Sequence, residues 1–112
     1  MGIEKLFITM EEKSALVEIQ KSLIGDYGVE KLVAFGSGIK SEAMEGEVPD
    51  LLALTAKPVT PQEKQSLLDR VAKVNQDYHT KYTVLVFDKL TWEAWAGQTL
   101  YQEIKRDGIQ IW

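Results

Sequence analysis

The sequence predicts a mixed α/β (α+β) domain in which helices cover a central mixed sheet. Three observations carry that prediction. Two consecutive apolar runs, LVAF at 32–35 and LLAL at 51–54, flank a Gly36-Ser37 turn. Two threonine-led capping boxes, Thr9 to Glu12 and Thr60 to Glu63, open stretches with helical apolar spacing. A β-branched and aromatic run, YTVLVF at 82–87, supplies a further strand.

Each element follows from local chemistry. Residues 3–8 form a short apolar lead-in that suits an edge strand. Thr9 can accept from the backbone three residues on while Glu12 reaches back. Ala15, Leu16, Ile19 and Leu23 then repeat at helical spacing, which predicts a helix over 10–24 with Gly25 and Gly28 as its stop. The strand over 30–35 has consecutive rather than alternating apolar residues, the mark of burial on both faces. Gly36 lets the backbone turn sharply, and Ser37 is a helix-starting residue. Residues 39–44 suit one or two helical turns, and 45–49 a loop, because Pro49 lacks a donor and restricts Val48. A second strand spans 50–55.

Thr60 is followed by Pro61 at the first helical position, where its missing N–H does no harm. Leu67, Leu68, Val71 and Val74 make the buried stripe of that helix, which fades over 75–78. After the third strand, Thr91 is expected to cap a short helix through Trp95, interrupted by Gly97. Thr99 to Gln102 reads as another capping box, opening a helix to Arg106 with Gly108 as its stop. Residues 109–112 form a short strand or a docked tail.

Composition narrows the function classes. A chain of 112 residues with 45% hydrophobic and 27% charged residues predicts one domain, 1–112, with its own core. Cysteine is absent, which removes thiolate metal sites and cysteine nucleophiles and fits a reducing cytoplasm. No apolar run approaches the roughly 20 residues that span a bilayer. The first residues carry acids too early for a signal peptide. Net charge is −4 with scattered Lys and Arg, which argues against a general nucleic-acid surface.

Phe35-Gly36-Ser37, then Ser41-Glu42-Ala43, then Asp50-Leu51-Leu52 resembles the minimal nucleotidyltransferases of the DNA polymerase β superfamily. Their signature is FGS, one or two basic residues, a G-E-A-like tripeptide, and a D-x-D that leads into an apolar strand. The distance from Ser37 to Asp50 fits without a gap, and the helix and strand order matches across nearly the whole chain. The resemblance implies transfer of a nucleoside monophosphate from a nucleotide triphosphate to an acceptor hydroxyl, with two Mg²⁺ ions held by carboxylates. It implies nucleotide binding at Gly36, Ser37 and Lys40, and a catalytic and metal-binding role for Asp50.

The sequence departs from that pattern where the metals would sit. The first D-x-D position is Val48 and the middle one is Pro49, so Asp50 remains alone. The position of the family's later-strand carboxylate falls near Thr83. Gly38 replaces the first basic residue, and Ser41 the glycine of the tripeptide. One carboxylate does not hold two hard cations against water. The expectation is therefore a nucleotidyltransferase-fold protein with a degenerate site, a pseudoenzyme that needs no cofactor. It would act through a partner protein or a homodimer, with weak nucleotide binding. Relatives of this fold often sit beside a helical partner in toxin–antitoxin pairs. The alternative is an atypical active enzyme that joins Asp50 to Glu47 or Asp88 and uses Mg²⁺ and a nucleotide triphosphate.

Plainer readings stand beside these. Gly36-Ser37 is equally the chemistry of an ordinary turn, Lys40 of a solvated lysine, and Asp50 of a loop-satisfying carboxylate. His79 suits a helix end. Trp92 and Trp95, three apart, suit one helix face on the core. Trp112 either docks on the sheet or serves an oligomer interface.

Overall fold

The structure, a computed structural model, describes residues 6, 8–36 and 48–112. Helix α1 spans Met10–Leu23, and Thr9 and Glu12 close its capping box in both directions. Strand β1 (Val29–Phe35) follows, then β2 (Asp50–Thr55). Helix α2 (Pro61–Tyr78) opens with the reciprocal Thr60–Glu63 box. It ends on His79, whose φ of 57° puts it in the left-handed region. Strand β3 (Val84–Asp88) leads into α3 (Lys89–Ala94), α4 (Thr99–Asp107) and β4 (Ile109–Gln110). The expected edge strand over 3–8 falls mostly outside the described residues, and the helical turns over 39–44 wholly so.

The sheet order is β3-β2-β1-β4. β1 pairs antiparallel with both β2 and β4, and β2 pairs parallel with β3. Consecutive apolar residues in β1 and β2 feed two cores, as their pattern predicts. On one face α1 and α2 bury Leu16, Ile19, Leu23, Leu67 and Val71 against Leu32, Ala34, Leu51 and Ala53. On the other, α3 and α4 bury Trp92, Tyr101 and Ile104 against Leu52 and Leu54. Full burial of a large apolar side chain contributes roughly 1.5–3 kcal/mol, so the larger α1–α2 core dominates stability.

Three local expectations differ from the structure. Strand β3 starts at Val84 rather than Tyr82, because the Asn75 side chain takes both backbone groups of Tyr82. Its amide donates to the Tyr82 carbonyl and its oxygen accepts from the Tyr82 N–H, each at 2.9 Å. The cap of α3 is Asp88, not Thr91. The Asp88 carboxylate accepts from the Thr91 N–H at 3.0 Å and from the Thr91 hydroxyl at 2.6 Å. Thr99 is the first residue of α4 rather than its cap. Gln98 holds that place with no side-chain bond.

Two further contacts fix the layers. The Tyr82 hydroxyl donates to the Glu12 carbonyl at 2.7 Å, joining the approach to β3 to the start of α1. Burial, reinforced by the Glu12 charge, holds that phenol above its ordinary range. Arg70 of α2 pairs with Asp26 and donates to the Ser22 carbonyl at 2.8 Å. Its guanidinium also lies 5.6 Å from the centroid of the Tyr27 ring.

The last residues dock as an edge strand. The Leu32 carbonyl accepts from both Ile111 and Trp112, at 2.9 and 3.3 Å. Ile111 is buried, whereas the Trp112 ring is 44% exposed. The tail therefore docks through its backbone and Ile111.

Candidate functional site

The candidate site forms where β1 ends and β2 begins. Antiparallel register sets Phe35 opposite Asp50, so the Gly36 turn stands beside the Asp50 carboxylate. Gly36 has φ 89°, a conformation that side chains rarely adopt. Asp50 shares its strand face with Leu52 and Leu54, and so points toward the α3–α4 side. Its neighbours withdraw it in part from water, and this desolvation raises its carboxyl above the ordinary value.

A cavity of about 300 Å³ opens there. Gly36 and Asp50 line one side of it. Glu103, Arg106 and Asp107 of α4 line the other, over Phe35 and Ile104. Arg106 donates to the Asp107 carboxylate at 3.0 Å. The α4 charges were not anticipated from the sequence. Their signal was available, since positions 103, 106 and 107 share one face of an amphipathic helix, but nothing local says that this face meets the Gly36 turn.

Of the expected site residues, Gly36 and Asp50 come together. Ser37 and Lys40 lie outside the described residues, as does Glu47. Position 83 does fall at the Asp50 end of the sheet, where the Leu51 N–H donates to the Thr83 carbonyl at 2.8 Å. A threonine occupies it. Asp88 lies at the opposite end. It pairs in register with Thr55, five residues along β2 from Asp50, a separation of roughly 16 Å at the usual strand rise. Asp88 is a helix cap and cannot share an ion with Asp50. Among the described residues no group of three or more His, Asp or Glu side chains is arranged to hold a metal ion. Among the described residues the donor set does not fit a two-metal centre.

The chain has a nucleotidyltransferase-like fold. It is similar to one chain in the crystal structure of the toxin–antitoxin MntA–HpeT mutant, with a TM-score of 0.57 and 17% sequence identity. The match covers 93% of this chain and 73% of that one. At that identity the likeness shows the fold alone. No protein-family model matches the sequence, and no curated protein matches it. Among the described residues no helix is long and apolar enough to cross a membrane.

Proposed function

We propose that this protein is a nucleotidyltransferase-fold protein without transfer activity, acting through contacts with a partner protein or a second copy of itself. Weak nucleotide binding at Gly36, Ser37 and Lys40 is the remnant of the ancestral chemistry. One observation carries the reading. Asp50 stands at the mouth without the strand carboxylates that such chemistry needs, with Val48 two residues before it and Thr83 alongside. Loss of one such interaction in a phosphoryl-transfer site removes orders of magnitude in rate. The structural neighbour's description as a toxin–antitoxin pair supports the partnered part of the reading.

The test is a transfer assay with labelled nucleotide triphosphates, Mg²⁺ or Mn²⁺, and a panel of protein and RNA acceptors. The expected result is no labelled product. Product that disappears in Asp50→Asn overturns the proposal. Nucleotide binding is tested separately by calorimetric titration, where saturable heat lost in a Ser37→Ala/Lys40→Ala variant is expected.

A further inference from the structure

Helix α4 crosses the sheet, and the cavity beside Asp50 occupies only one of its flanks. On the other flank lies a second cavity of about 200 Å³, floored by Val33, Leu52 and Trp92. Lys31 from β1 and Lys105 from α4 stand at its rim. We propose that this second cavity binds a small organic anion: a carboxylate or similar group carried on a short or flat apolar body.

Three observations support that occupant. The first is charge. Among the described residues neither Lys31 nor Lys105 forms an ion pair, whereas Lys21, Arg70, Lys89 and Arg106 all do. The one acid on the lining, Glu93, is already engaged, accepting from the Tyr101 hydroxyl at 2.9 Å. Lys105 lies over the same Tyr101 ring, 5.9 Å from its centroid, which holds its ammonium near the rim. The lining therefore carries two cations and one carboxylate, a net positive charge.

The second observation is the floor. Val33 is half-buried and packs against Leu52 and Trp92 of the smaller core, so an apolar body set on it extends an existing hydrophobic surface. The third is size. The volume falls below the roughly 300–1,000 Å³ of pockets that take drug-sized ligands. That size favours a single-ring or short-chain anion over a nucleotide. The site is separate from the Gly36–Asp50 cavity and does not depend on the reading given for it.

The experiment uses the full chain, labelled with ¹⁵N, titrated with benzoate and with benzamide, its neutral counterpart. Saturable shifts are expected at Lys31, Leu52, Gly108 and the Trp92 indole N–H with benzoate. Affinity for benzamide is expected to be at least about fivefold weaker, the product of two surface charge contacts. Added salt weakens benzoate alone. The Lys31→Gln/Lys105→Gln variant, with an unchanged circular dichroism spectrum, is expected to lose the same factor. Absence of saturation, equal binding of benzoate and benzamide, or full binding in the double variant each overturns the proposal.

Discussion

Oδ2 of Asp50 lies 3.2 Å from where a β-carbon on Gly36 would stand. The turn and the carboxylate are thus one unit, and the first prediction follows from it. Gly36→Ala must place a side chain at φ 89° and crowd Asp50. The expected loss is about 1–2 kcal/mol in denaturant unfolding. Gly36→Asn, whose side chain tolerates the left-handed region better, should recover part of it.

Asp50 and Asp88 predict pH dependences of opposite sign. Desolvation raises the Asp50 carboxyl above its ordinary value near 3.8, so the folded state binds its proton more tightly than the unfolded chain. Its charge therefore opposes folding above the raised value, and the effect vanishes below 3.8. Asp50→Asn is expected to raise the unfolding midpoint at pH near 7, with the gain fading in acid. Asp88 is lowered, chiefly by the Thr91 hydroxyl and then by the Thr91 N–H. Its contribution is present above 3.8 and is lost as pH falls through the lowered value. Asp88→Ala should lower the midpoint at neutral pH and do less in acid. Melting curves across pH for both variants check the two signs.

Asn75 carries an unusual share of polar work for one side chain. Besides both Tyr82 backbone groups, its oxygen accepts from the Thr80 hydroxyl at 2.8 Å. Asn75→Ala leaves all three without a partner. A cost of about 2 kcal/mol is expected, since each net hydrogen bond is worth roughly 0.5–1.5 kcal/mol. Asn75→Asp keeps the acceptor, loses only the donor to the Tyr82 carbonyl, and should fall between the two. Chemical denaturation at neutral pH separates the three proteins.

Gly108 is constrained by space, not by backbone angle. A β-carbon there would meet the Ile104 carbonyl oxygen at 2.5 Å and Val33 Cγ1 at 2.8 Å. Gly108→Ala must push α4 away from β1. Overpacking of this kind typically costs roughly 1–3 kcal/mol. The expected readout is a lower unfolding midpoint together with altered emission from Trp92, which packs with Tyr101 of α4 at 5.0 Å between ring centroids.

Core and caps differ in how openly the sequence displays them. Thr9 and Thr60 each sit ahead of a clean apolar stripe, so their boxes and the start of each helix were legible. Asp50 to Thr55 was legible for a related reason: Pro49 blocks extension backward and Thr55 ends the apolar run. Thr91 misled because Asp88, three residues earlier, is an equally good cap and uses Thr91 as its partner. Thr99 misled because the spacing to Gln102 matches a capping box while the helix begins one residue sooner. The start of β3 was set by Asn75, whose role depends on where α2 ends. The arrival of Glu103, Arg106 and Asp107 beside Asp50 depends on how α4 crosses the sheet. No short-range pattern encodes that crossing.

The parallel pairing of β2 with β3 ties β3 to the helix that precedes it in the chain. A tight hairpin can join antiparallel neighbours, but the parallel β3 is reached only by a crossover, and that crossover contains α2. In native-state hydrogen exchange, amides of β3 and α2 are expected to open as one cooperative unit, below the free energy at which the β1–β2 pair yields.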